Sequence, residues 1–184
     1  PAGPKPPPQP RPNVLVIMTD DQAVSQFTPE VMPKTFRKLA EGGTIFDRSF
    51  VSSPLCCPSR AGFLTGQYAH NNGVFDNTPG YGALLQKDRT LFTWLRAAGY
   101  HTGHVGRFLL GYDTYGTAPA DPYGTPLPAA PNPPGVDDWY GYDDYPTHYF
   151  SAPFSDNGDP TSSATSKHGY ITRAIDGQAR DFIA

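Results

Sequence analysis

"NVLVIMTDDQ", residues 13–22, is the stretch on which the fold class turns. Val14 to Met18 is an unbroken apolar run, partly β-branched, that stops at Thr19, Asp20 and Asp21. Such a run is predicted as a strand buried on both faces, as in a parallel sheet covered by helices. In open α/β sheets ligands collect beyond the carboxyl ends of the strands. Two carboxylates at that place have two readings: caps for the next turn, or hard oxygen ligands for a cation such as calcium. The residues alone leave the choice even.

Working outward, "PEVMPKTFRKLAEGG" (29–43) carries Phe36, Leu39 and Ala40 at helical spacing and a glycine pair at its end, so a helix is predicted there. "TIFDRSFVSS" (44–53) is predicted as a short strand, and Ser59 to Thr65 as the start of a helix that Gly66 closes. "TLFTWLRAAGY" (90–100) is a clearer helix, with Leu91, Trp94, Leu95 and Ala98 on one face. "HTGHVGRFLL" (101–110) supplies another strand, whose end carries Arg107. Alternating strands and helices imply α/β architecture. From Gly111 to Asp159 prolines, tyrosines and aspartates predict a long irregular excursion, with one hairpin near "HYFSAPF", of the kind that shapes a cleft. "KHGYITRAIDGQARDFIA" (167–184) is helical in pattern and stops without a cap, which creates the expectation of a fragment.

With 184 residues the chain fits one domain or part of a larger one. Its 22 prolines and 19 glycines gather between the apolar blocks. Residues 1–12, "PAGPKPPPQPRP", are expected to form a flexible arm, and residues 13–184 a domain. The arm resembles what remains once a signal peptide is removed, which favours a secreted or extracytoplasmic protein. A net charge of -3 without a basic cluster gives no electrostatic case for nucleic acid or a membrane surface as partner. No apolar run reaches the roughly 18 residues that suggest a membrane span.

The two cysteines of the chain stand side by side in "PLCCPSRAGFLTG" (54–66). Adjacent cysteines can hardly bond each other without strain. Their spacing does not let both thiolates reach one zinc ion. At a loop-to-helix junction a thiol meets the positive end of the helix dipole and free N–H groups, which favour thiolates and anions. Arg60, four residues on from Cys56, can supply a positive fork for a tetrahedral oxyanion. The alternative is two small packing residues with Pro58 setting the turn and Arg60 solvated. Both readings stay open on the residues alone.

These residues resemble the signature of the formylglycine-dependent sulfatase family, with Cys56, Cys57, Pro58, Ser59, Arg60, Leu64, Thr65 and Gly66 at its positions. "NVLVIMTDDQ" is similar to the family's first strand with its paired metal-binding aspartates. "GYHTGHVGRFLLGY" (99–112) is similar to a family segment that has lysine where Arg107 stands. The subgroup acting on N-acetylglucosamine 6-sulfate and heparan-type sugars shares "CCPSR" and stretches like "TGQYAHNNGV" (65–74) and "PPGVDDWYG" (133–141).

The resemblance implies an alkaline-phosphatase-like α/β sandwich with a mainly parallel central sheet, here truncated. It implies that a formylglycine-generating enzyme converts Cys56, not Cys57, to formylglycine (3-oxoalanine), reading Pro58 and Arg60. One hydroxyl of the hydrated aldehyde attacks the sulfur of a carbohydrate or aryl sulfate ester; the other collapses to the aldehyde and expels sulfate. Calcium held by Asp20, Asp21 and the modified Cys56 polarises the sulfate oxygens, Arg60 steadies the gem-diol, and Arg107 reaches the sulfate. His70 has two readings, a residue that lines the substrate cleft or a hydrogen-bonded structural histidine. His148 and His168 are read as surface or capping residues, and Trp139, Tyr140, Tyr142 and Tyr145 as sugar-stacking or loop-packing aromatics.

The chain departs from the family pattern at two places. Arg107 replaces lysine, and Leu109 and Leu110 stand where a polar residue is expected. The family's downstream Asp-Asn pair, histidine and lysine have no counterpart in this sequence. Two alternatives remain: a phosphonate monoester or phosphodiester hydrolase of the same superfamily, or a catalytically silent fragment that only binds anions.

Overall fold

The computed structural model describes residues 11–112, 132–142, 149–150, 154–157 and 170–184. The proline-rich arm lies outside them except for Arg11 and Pro12. The chain divides into two compact units, residues 1–49 and 50–184.

In the first unit the apolar run from Val14 to Met18 forms neither helix nor strand, and its side chains are exposed, Ile17 by 72%. This corrects the buried strand expected there. An apolar, β-branched run becomes a strand only where a neighbour takes up its N–H and C=O groups; among the described strands none pairs with it. "TIFDRSFVSS" likewise forms no strand, and Ile45, Phe46, Phe50 and Val51 are exposed. The helix expected over residues 29–43 contracts to α1 (Pro33–Thr35) and the π-helical turn Phe36–Ala40 that continues it. Pro33 is the first helical residue, where its missing N–H costs nothing. Phe27 packs on Phe36 with ring centroids 5.0 Å apart.

The second unit holds α2 (Cys56–Thr65), α3 (Ala69–Asn72), a 3-10 turn Gly80–Ala83 and α4 (Leu91–Ala97). They are followed by β1 (Gly103–Arg107), β2 (Asp138–Tyr142), β3 (Ser155–Asp156) and α5 (Ile171–Ile183). Helix α2 begins at Cys56 rather than Ser59, because Pro58 in the first turn gives up an N–H that has no intrahelical partner anyway. It ends at Gly66, whose φ of 65° lets the chain turn left-handed while its N–H bonds the Gly62 carbonyl at 2.9 Å.

The described strands form one small mixed sheet in the order β1-β2-β3. β1 and β2 run parallel with His104 opposite Trp139, while β2 and β3 run antiparallel with Tyr140 opposite Asp156. The α/β class therefore stands, with one parallel and one antiparallel pairing in place of a mainly parallel sheet. β2 also corrects the irregular excursion expected from Gly111 onward: "DWYGY" contains Asp and Gly, which strands disfavour, and its pairing with β1 overrides that preference. β3 begins just after the predicted hairpin stretch, of which His148 and residues 151–153 lie outside the described residues.

Side chains alternate across the sheet. Trp139 joins Cys57, Ala61, Leu64, Tyr81 and Phe108 to Leu110 in the main core, against which Phe92 of α4 packs, whereas Trp94, on the apolar face read from the helix pattern, is exposed. On the other face Tyr140 packs with Phe154 and Ala174 of α5. Among the described residues no helix is long and apolar enough to cross a membrane.

Candidate active site

Cys56 and Cys57 open α2, and the helix separates their environments. Cys56 is partly exposed, whereas Cys57 is fully buried. The Cys57 N–H donates to Asn77 Oδ1 at 2.9 Å. Its Sγ accepts the Leu110 N–H at 3.2 Å. Burial pushes the Cys57 thiol above its ordinary range; the Leu110 N–H opposes that rise, Cys56 adds to it, and the Arg107 and Arg60 charges oppose it. Cys57 is therefore a neutral, sealed thiol at pH 7, and Cys56 is the cysteine that chemistry can reach.

Arg60 lies one helical turn beyond Cys56, so both project from the same side of α2. Its Nη1 donates to the Arg107 carbonyl oxygen at 2.6 Å, which ties α2 to the last residue of β1. The structure thus brings Arg60, Arg107 and the cysteine pair together in the second unit. Leu109 and Leu110, which occupy the place of an expected polar residue, are core residues instead. The Leu110 carbonyl accepts the Tyr81 N–H at 2.8 Å, so Leu110 is held at both its N–H and its carbonyl.

Asp20 and Asp21 belong to the first unit, exposed just beyond the Val14 to Met18 run, with Asp21 in the left-handed region at φ 53°. Their carboxylate oxygens come within 4.8 Å of each other. Two oxygens each about 2.3–2.6 Å from one calcium ion can be up to about 5 Å apart, so spacing and donor chemistry both suit that cation.

His70 sits exposed on α3 and stacks on Tyr68, with ring centroids 6.0 Å apart. The neighbouring Asn72 organises that stretch: it donates to the Gln67 carbonyl and accepts the Val74 N–H, both at 2.9 Å. Trp139 and Tyr140 are buried, which fits packing rather than sugar stacking. Tyr145, His148 and His168 lie outside the described residues. A cavity of about 330 Å³, bounded by His101, Asp138, Trp139, Tyr140, Gln178 and Phe182 among others, opens near the start of β1; Cys56, Arg60, Arg107, Asp20, Asp21 and His70 are not in its lining.

Sequence reasoning missed Asn77 altogether. In "FDNTPG" it reads as a turn residue, and nothing local signals that its amide reaches back to α2.

A family model described as Sulfatase matches residues 12–183. The chain is 39% identical over 107 residues to the "Extracellular sulfatase SULF-1 homolog" of Drosophila melanogaster, covering 56% of this chain and 10% of that protein. It is 32% identical over 189 residues to the "N-acetylglucosamine-6-sulfatase" of Capra hircus, covering 94% of this chain and 31% of the relative. The human protein of that name is 39% identical over 111 residues, covering 55% and 20%. The matched parts thus span between 10% and 31% of these relatives' lengths.

Proposed function

The chain belongs to the sulfatase family, and from that premise we propose that it works as part of a sulfuric ester hydrolase whose nucleophile is made from Cys56. The observation that carries the reading is the division of labour in the first turn of α2. The reachable cysteine is the one with proline two places on and arginine four places on, while its neighbour is sealed in the core.

On this reading Cys56 is converted to formylglycine by a formylglycine-generating enzyme that recognises Pro58 and Arg60. The hydrated aldehyde supplies two hydroxyls on one carbon, one to attack sulfur and one through which sulfate departs. Asp20 and Asp21 would hold calcium, together with the modified residue 56, and the ion would supply positive charge to the sulfate oxygens. Arg60 contributes a fixed positive charge one turn from the nucleophile, aimed by its bond to the Arg107 carbonyl. Arg107 binds the sulfate through a planar guanidinium, which favours a two-point grip over the point charge of a lysine. His70 is assigned to the substrate rim.

Residues 13–184 are read as the N-terminal part of a catalytic domain of the alkaline-phosphatase-like sandwich type. The substrate class is a sulfated carbohydrate or aryl ester, and the setting secreted or extracytoplasmic. The names of the relatives support both.

The test is production of the chain with a formylglycine-generating enzyme, peptide mapping around residue 56, and parallel rates on a sulfate ester and a phosphate or phosphonate ester. We expect sulfur loss at Cys56 alone, preference for sulfate, and a fall of at least about 1000-fold in Cys56→Ala. Modification of Cys57 would overturn the site. Preference for phosphorus would move the chain to phosphonate or phosphodiester hydrolysis, and no turnover by a correctly modified chain would make it a binding fragment.

A further inference from the structure

The catalytic reading leaves Cys57 and Asn77 without a task, although they make the contacts that fix the first turn of α2. We infer that Cys57 and Asn77 are positioning residues: together they pin the turn that carries residue 56 to the chain segment that follows β1. Asn77 holds this turn from one side, its Oδ1 accepting the Cys57 N–H at 2.9 Å. That N–H is one of the orphan donors of a helix N-terminus, and a side chain from outside the helix satisfies it here. Cys57 holds the other side, its Sγ accepting the Leu110 N–H at 3.2 Å, three residues after Arg107. Arg60 then spans the same gap to the Arg107 carbonyl at 2.6 Å.

The surroundings are built for this arrangement. Gly80 has φ 57°, and a Cβ there would run into the Leu110 carbonyl oxygen and come 3.3 Å from Cys57 Sγ. Glycine lets Tyr81 approach and bond that carbonyl, which holds Leu110 from its C-terminal side while the thiol takes its N–H. Cys57 is 0% exposed, so water cannot replace the sulfur as acceptor, and losing it leaves a buried N–H unpaired. The rival explanation is that Cys57 merely fills space. The two diverge on substitution: serine keeps an acceptor but loses volume, whereas valine keeps volume but loses the acceptor.

The experiment uses the full chain made with the modifying enzyme, as wild type, Cys57→Ser, Cys57→Val, Asn77→Asp and Asn77→Ala. Amide hydrogen exchange is read at residues 57 and 110, and kcat and KM are measured on a sulfate ester. For Cys57→Val, exchange at Leu110 should rise by about tenfold and kcat fall by about tenfold, with KM within about twofold of wild type. Cys57→Ser should stay within about threefold of wild type on each readout. Asn77→Ala should accelerate exchange at residue 57 and lower kcat to a similar degree, while Asn77→Asp, which keeps the acceptor, should do neither. If Cys57→Val fails to fold, the Asn77 pair decides. Valine equal to or better than serine, or faster exchange with kcat unchanged in active protein, would overturn the inference. The kinetic arm alone rests on the sulfatase reading. If the wild type hydrolyses nothing, that reading fails, and the clamp stands or falls on the order of the exchange rates.

Discussion

Two apolar runs lead to the charged residues of the candidate site, and they have opposite fates. Val14 to Met18 runs up to Asp20 and Asp21 as an exposed, unladdered segment, whereas Phe108 to Leu110, just after Arg107, is buried in the main core. Hydrophobicity does not separate them, since the first run is longer and as apolar as the second. Neighbours do. β1 has β2 alongside it, Trp139 packs on Phe108 with ring centroids 5.1 Å apart, and Cys57 of α2 takes the Leu110 N–H. An apolar stretch carries the propensity to be buried, and its partners decide whether that propensity is used. The same holds for chemistry: Arg107 is fixed by the bonds around its peptide, while the aspartate pair is characterised by donor type and spacing.

The sharpest way to break this contrast is to remove the partner. Trp139 is 1% exposed and touches His104, Phe108 and Tyr112. Truncating Trp139→Ala should cost about 3–5 kcal/mol of unfolding free energy, measured by urea denaturation. A cost below about 1 kcal/mol would mean that the core of the second unit does not depend on β2.

How much of this was legible in the sequence follows from the range of the interactions. The cysteine pair, the glycine that ends α2 and the helix over residues 91–97 depend on neighbours within a turn or two, and local pattern finds them. Cys56 and Arg60 share a face because helical spacing puts them there. β2 was not legible, because its pairing with β1 spans more than thirty residues and overrides an unfavourable local composition. Asn77 was not legible for the same reason: its partner is twenty positions away. The run at Val14 misled in the other direction, since its pattern promised a pairing that lies on no described strand.

Protonation should probe the buried side of the contrast with a somewhat smaller effect. His104 stacks on Trp139 with ring centroids 4.8 Å apart, meets Phe92 and Phe108 edge-on, and places Nε2 3.2 Å from the Gly106 carbonyl. Burial lowers its pKa from 6.5 to about 4; the Gly106 carbonyl opposes that drop and the Arg60 charge adds to it. The unfolded chain therefore takes up a proton that the folded chain refuses. Stability should fall as pH drops from about 6.5 to about 4 and level off below that, by about 3 kcal/mol in all. Unfolding curves across that window check the sign, and His104→Asn should flatten the slope. An unchanged slope in the variant would assign it to other groups.

The smallest expected effect falls on the first run, and it can break the contrast outright. Ile17 buries little area, so Ile17→Ser removes little apolar surface from the folded state and leaves no cavity behind. Its effect on unfolding free energy should stay within about 0.5 kcal/mol, the usual range for surface substitutions. The same chemical change at Leu109, which is fully buried, should cost several times more because it adds an unpaired hydroxyl to a lost side chain. If Ile17→Ser instead cost about 2 kcal/mol or more, the run would be buried in solution. Val14 to Met18 would then be the covered strand its pattern predicts, and the aspartates at its end would be held as firmly as Arg107.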